Sequence, residues 1–551
     1  MAERTGSPQR GTNRLAGILR GTVGALAGAV CRVMIWITGG CGRMPRFPTQ
    51  PVQRPHQRLA YDLNDDKRDD YWQDVGANGQ KLVLRFDNNG DGQPDESIRL
   101  DKPPPANALH VIIFLDGVPF DLIQDLHAAG RFRLFPPPSR LTSVFPAMTD
   151  LALARAFSVG PCLGYEALYF NVRRNRLSHG NQVYLSGRNA PWTSKMDYRC
   201  RINWDAVMYL NPPAVWRHEL DGCACTIESA ENGPVYLYTV ATSGLGMRGG
   251  GDAIREFLET IDDLCEQVTH QRQGKVRFTL LADHGIGGTP SQRISFRPLL
   301  TEAGLRMSKS VDDDSEVVIP EYGLVTCAVA HTRTPERVAD VILKHEATDL
   351  VMYPAARPRD DQVVLPGASG GGNAPAPIIV RNSTARAEIH RRGARFVYRA
   401  VAGDPLKLTP VLDRLTAEGK AAPDGSASDD DWFEATTAHD YPDPLHRIWC
   451  AFEQSCLVEN PADVIVSLKE GYACGSKLFS VMINIAGTHG SLAQQSNTFI
   501  MSNAVPLPPV LRVDDVIRAL NAAETPVTAA RRSELRDTPC QSEPLLSQTR
   551  P

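Results

Sequence analysis

The sequence lacks the marks of several common protein classes. Its 59 lysines and arginines are met by 63 acids, for a formal charge of −4. There is no basic field, and no nucleic-acid binding is expected. None of the 12 cysteines forms a C-x-x-C pair or a zinc-finger spacing. The closest pair, Cys223 and Cys225, is a C-x-C, a weak cue for a zinc knuckle. No apolar run makes a convincing membrane span, because the stretch 21–40 is broken by Arg32. What remains is 42% hydrophobic and 22% charged over 551 residues. That is a globular composition, long enough for one large domain with insertions or for two to three ordinary ones.

Residues 1–20 carry Arg4, Arg10, Arg14 and Arg20 against the single acid Glu3, and the interrupted apolar stretch ends Thr38-Gly39-Gly40-Cys41. Residues 1–41 read as an export signal, either cleaved or lipid-modified at Cys41, and place the protein in the periplasm or cell envelope. Export makes disulfides plausible without fixing their pairing. The Pro- and Arg-rich segment 42–60 reads as a linker.

Two acidic segments come next, within 61–100. One holds Asp62, Asn64, Asp66 and Asp70, the other Asp87, Asn89, Asp91 and Asp95. Both set side-chain oxygens at positions 1, 3, 5 and 9, the spacing that wraps ligands around a hard cation, so calcium is a candidate cofactor. The second has Gly92 where the sharp turn needs glycine; the first has Lys67, and neither has a glutamate at position 12. The plainer alternative is a pair of acidic turns in hairpins.

From 107 the pattern becomes α/β. Continuous apolar runs at 110–115, 235–240, 276–281 and 479–485 read as buried parallel strands. Between them, Ile254, Phe257, Leu258, Ile261 and Leu264 recur at helical steps within 252–268. The expected fold is an α/β three-layer sandwich around a mostly parallel sheet. Its core would occupy 107–354 and 456–523, with an inserted cap at 355–455 that includes the Gly-rich stretch 367–373 and would choose the substrate. Residues 524–551 read as a disordered tail.

Four motifs sit at strand ends or in nearby loops, where open α/β sheets place their ligands. They are Leu115-Asp116-Gly117; Phe145-Pro146-Ala147-Met148-Thr149; Ala282-Asp283-His284-Gly285; and Gly487-Thr488-His489-Gly490. Carboxylates and imidazoles of this kind hold zinc or manganese, and a cation turns a threonine into a usable nucleophile. Each motif alone is more often structural: a threonine at a helix start is commonly a cap.

Their joint order resembles the alkaline phosphatase superfamily, in its type I phosphodiesterase and nucleotide pyrophosphatase branch, over roughly 107–355 and 460–520. The resemblance implies a phosphoester hydrolase with two neighbouring metals and a covalent threonine intermediate. Asp116, Thr149, Asp283 and His284 would surround one metal, and His489 would belong to the other. The family's Asp-x-x-x-His motif is missing: Ser243 and Met247 stand in its place. Neither binds zinc well, so the second metal site is degenerate. The expectation is therefore a hydrolase of phosphate mono- or diesters, with sulfate or phosphonate esters also considered. It would use a reduced metal site, with Thr149 as nucleophile and His489 as acid or base. Arg248, beside Met247, would supply positive charge or simply be a solvated arginine. The alternative is a non-catalytic envelope binding protein. The partner would be a phosphorylated small molecule or envelope component, with membrane attachment only through Cys41.

Overall fold

The computed structural model describes residues 51–54, 57–102, 108–201, 204, 207–355 and 375–521. The export signal with Cys41, the Gly-rich stretch 367–373 and the tail lie outside the described residues. Among the described residues no helix is long and apolar enough to cross a membrane.

The central sheet has six strands: β1 (Leu109–Leu115), β2 (Ser139–Thr142), β3 (Gly233–Thr239), β4 (Val276–Ala282), β5 (Thr498–Ser502) and β6 (Val510–Arg512). Their order is β3-β1-β4-β5-β2-β6. The β3–β1, β1–β4 and β2–β6 pairs are parallel, while β5 runs antiparallel to both its neighbours. β1 and β4 read as near-continuous apolar runs because both their faces are covered: every residue from Val111 to Leu115 and from Val276 to Ala282 is buried. Removing each such leucine or isoleucine from water stabilises the fold by about 1.5–3 kcal/mol.

Four helices matter for the site: α1 (Thr149–Ala156), α2 (Pro212–Ser229), α3 (Ala241–Gln271) and α4 (Pro444–Phe452). α3 includes the expected 252–268 segment, with Ile254, Phe257, Leu258, Ile261 and Leu264 all buried. It begins eleven residues earlier than that segment and kinks at Gly250, whose φ of 69° only glycine adopts easily.

One expectation is corrected. The run 479–485 is not a strand: Lys477–Met482 is a short helix, capped by Ser476, whose hydroxyl accepts from the Phe479 amide. Leu478 is 70% exposed. Short apolar runs do not separate buried strand from helix by periodicity, and here the strand beside β4 is Thr498–Ser502.

A second, nine-stranded and largely antiparallel sheet takes strands from 306–354, 378–428 and 464–468. The strands within 378–428 thus extend a sheet begun upstream. At the N-terminus five antiparallel strands form a meander. The two acidic segments are its loops, joining Tyr61 to Tyr71 and Phe86 to Glu96. The meander is fastened to α3 by the buried Lys81–Glu266 pair and by Gln73 Nε2 donating to Glu266 Oε2 at 3.0 Å. A disulfide joins Cys450 of α4 to Cys456 just beyond it, Cys225 is also disulfide-bonded, and Cys223 is a buried free thiol on α2.

Candidate active site

Two strand ends, the start of one helix and one loop converge. Asp116 comes directly after β1, Asp283 and His284 after β4, Thr149 opens α1, and His489 lies in the loop before β5. The glycines of these motifs are required by close approach. A Cβ on Gly487 would lie 2.0 Å from the Gly287 carbonyl oxygen, so the Asp283-His284 and His489 loops could not pack together. Gly490, at φ 118°, lets the chain turn directly after His489.

Asp116, Asp283 and His284 are buried, and one ligand atom from each lies within 4.8 Å of the others. They are the one such group of three or more acidic, histidine or cysteine side chains among the described residues. His284 Nε2 is 3.4 Å from Asp283 Oδ2 and 3.7 Å from Asp116 Oδ1. The half-buried Thr149 hydroxyl is 3.2 Å from His284 Nε2 and 3.5 Å from Asp116 Oδ2. The inner oxygen of Asp283, Oδ1, accepts from the Gly117 and His284 amides at 3.0 and 2.9 Å. Asp116 Oδ1 and Asp283 Oδ2 are buried and have no hydrogen-bond partner. Buried polar atoms are ordinarily paired, so two orphaned carboxylate oxygens beside an imidazole mark a place for a cation.

The electrostatics agree. Burial, with the charge of Asp283 as the second cause, pushes the Asp116 carboxyl well above the usual range, against the pull of the Tyr238 and Ser243 hydroxyls. Burial likewise raises Asp283. Two carboxylates this close and this dry resist joint ionisation unless a cation lies between them. Burial lowers His284 to about 4, so its ring is neutral. Its Nδ1 is 3.1 Å from the Gly285 carbonyl, an acceptor only, which puts the proton on Nδ1 and the lone pair on Nε2.

His489 obeys the same logic. Its Nδ1–H donates to the Ala147 carbonyl at 2.8 Å, leaving a lone pair on Nε2, and burial lowers its pKa. Its ring stacks on His284 with centroids 4.0 Å apart. The Thr149 and His489 loops are further tied by Arg447 of α4, whose buried guanidinium donates to the Val144 and Leu492 carbonyls and to Ser496 Oγ.

Ser243 and Met247 stand one turn apart at the start of α3, as the four-residue spacing requires. Ser243 is buried, and its hydroxyl pulls the Asp116 pKa down, against the larger effect of burial. Met247 packs with Leu324, Ala473 and Ile485 in a small apolar cluster. Arg248 donates to the Tyr209 and Leu210 carbonyls, which accounts for its charge without a bound anion. The acidic loops lie apart, on the N-terminal meander. There Asp62, Asn64, Asp66 and Asp70, like Asp87, Asn89, Asp91 and Asp95, accept from amides of their own loops. Neither loop brings three acidic, histidine or cysteine side chains as close together as the strand-end group does.

Sequence reasoning missed three contributors. Tyr238 donates to Asp116 Oδ2 at 2.6 Å. Glu219 of α2 accepts the Val240 and Ala241 amides, capping α3 above Ser243. Arg447 is the third. Tyr238 was findable only through register: it pairs with Phe114, two residues before Asp116 on the same strand face.

No sequence-family model and no curated protein matches the chain. Among solved structures, human ectonucleotide pyrophosphatase/phosphodiesterase 5 aligns at 11% identity and TM-score 0.41, covering 75% of this chain and 94% of that one. The murine protein aligns at 9% identity and TM-score 0.40, with the same coverage. Phosphonoacetate hydrolase from Sinorhizobium meliloti 1021, in complex with phosphonoformate, aligns at 12% identity and TM-score 0.36, covering 79% and 98%.

Proposed function

We propose that the chain is a metal-dependent hydrolase of phosphate mono- or diesters, with sulfate or phosphonate esters as the neighbouring chemistry, working through a covalent threonine intermediate. The observation that carries this reading is the pair of orphaned oxygens, Asp116 Oδ1 and Asp283 Oδ2, facing His284 Nε2 and the Thr149 hydroxyl. Asp116, Asp283, His284 and Thr149 would hold one divalent ion, zinc or manganese, which supplies Lewis acidity and lowers the threonine pKa.

The chain's own groups do the rest. Thr149 Oγ1 forms a bond to phosphorus as the bond to the leaving oxygen breaks. The hydroxyl proton leaves to solvent as Oγ1 attacks, and a proton from solvent reaches the leaving alkoxide through His489, whose Nε2 lone pair is set by the Nδ1–H bond to Ala147. Water then displaces Thr149 from phosphorus, returning a proton to Oγ1. The amides at the start of α1 would face the phosphoryl oxygens. His489 is thus an acid-base group here, at the margin of a vestigial second site. We assign calcium to the acidic loops, and export to the envelope, where the Cys450–Cys456 disulfide would be maintained. The substrate would be a phosphorylated small molecule or envelope component.

The buried position of Met247 favours a second reading, a non-catalytic binding protein that keeps one cation. Elemental analysis of purified protein, with hydrolysis of aryl phosphate mono- and diesters and a Thr149→Ala control, separates the two. Bound transition metal with turnover abolished in the control supports the hydrolase. Bound metal without turnover on any of these esters supports the binding protein.

A further inference from the structure

We infer that Tyr238 is the positioning residue that fixes Asp116 for cation binding; this rests on the metal-dependent reading above. Asp116 has two carboxylate oxygens with different fates. Oδ2 accepts the Tyr238 hydroxyl at 2.6 Å, within the range of a strong, charge-assisted O–H···O bond. Oδ1 has no partner and is the oxygen turned toward His284 Nε2. Anchoring one oxygen stops the carboxylate from rotating and presents the other.

The anchor is itself held. Tyr238 is buried at the carboxyl end of β3. Its ring meets the edge of Trp192, with centroids 4.7 Å apart and planes at 64°. Trp192 Nε1–H donates to Asp150 Oδ1 at 3.0 Å, and Asn189 Nδ2 donates to Asp150 Oδ2 at 3.3 Å. Asp150 is the residue after Thr149 in α1. The contacts therefore run from Asp116 through Tyr238 and Trp192 to the first turn of the nucleophile's helix, joining a cation ligand to the nucleophile without passing through substrate. Groups that orient a metal ligand in this way typically contribute about 10–100-fold in metal affinity.

The test is cobalt binding by metal-free protein, read by competition with a chelating dye and by the visible d–d spectrum. Wild type, Tyr238→Phe, Trp192→Leu and Asp283→Asn are compared. Tyr238→Phe keeps the ring and drops only the hydroxyl. It is expected to weaken cobalt about 10–100-fold and to change the d–d band. Trp192→Leu should show a smaller loss in the same direction, and stands in for Tyr238→Phe if that variant does not fold. Cobalt held equally by wild type and both variants, with unchanged spectra, would overturn the role while leaving the metal reading intact. No cobalt in wild type, or equal binding by Asp283→Asn, would overturn the metal reading and this role with it.

Discussion

Ser243 and Met247 are one helical turn apart, yet they face two different interiors. Around Ser243 the buried atoms are polar: Asp116, Asp283 and His284 crowd together with two carboxylate oxygens unpaired. Around Met247 they are carbon, from Leu324, Ala473 and Ile485. The first side carries an electrostatic cost that only a cation relieves. The second has been made self-sufficient by packing, and asks for nothing. The state of a metal site is thus read from which buried atoms remain unsatisfied as well as from which ligands are missing.

The largest expected effect breaks the polar side. Asp283→Asn keeps the oxygen that accepts from Gly117 and His284 and replaces the orphaned one. Metal content should fall to background and turnover should drop roughly 10³-fold or more. Thermal stability should hold or rise, because a buried carboxylate is removed. A clear loss of stability with metal retained would contradict the site.

Next, Ser243→Asp with Met247→His should make the apolar side resemble the polar one. Metal content should rise toward about two ions per chain and turnover by about tenfold, at a stability cost of about 1–3 kcal/mol for opening the apolar cluster. A folded, loaded protein without gain would show that more than two ligands separate the sides.

A smaller effect tests what supports the polar side from beneath. Arg155 of α1 pairs with Asp514, and His446 sits 3.0 Å from Asp429 and 3.6 Å from Asp514. Arg512 joins Asp429 and Asp443 to the same network. Burial would lower the His446 pKa, but Asp429, Asp514 and Asp443 outweigh it and raise it to about 9. A raised histidine stabilises the fold fully below its unfolded pKa, about 6.5. That contribution is lost as pH rises through about 9. Unfolding free energy should fall by on the order of 2 kcal/mol across this window, and His446→Gln should flatten the profile. The smallest effect lies on the meander. Asp87→Asn with Asp91→Asn should abolish any calcium-dependent rise in melting temperature and leave turnover untouched. A calcium effect that survives the pair would place the ion elsewhere.

The strand-end motifs were legible because buried parallel strands announce themselves as apolar runs, and the residues just past their carboxyl ends must line the crevice. β1, β3 and β4 were readable this way, as were Asp116, Asp283 and His284, whereas Thr149 and His489 stood out only by the order of their motifs along the chain. The run 479–485 misled because a short apolar helix and a buried strand share one composition. Tyr238 and Arg447 were invisible because their partners, Asp116 and the Val144 loop, are far along the chain.

Residue identity and local spacing alone set the kinds of donor available, their order along the chain, and the serine and methionine at 243 and 247. Folding in three dimensions was needed to leave Asp116 and Asp283 with unpaired oxygens while sealing Met247 in carbon. Satisfaction of a buried atom depends on neighbours brought together by strand register and loop packing, and neither is written in any local stretch of the chain.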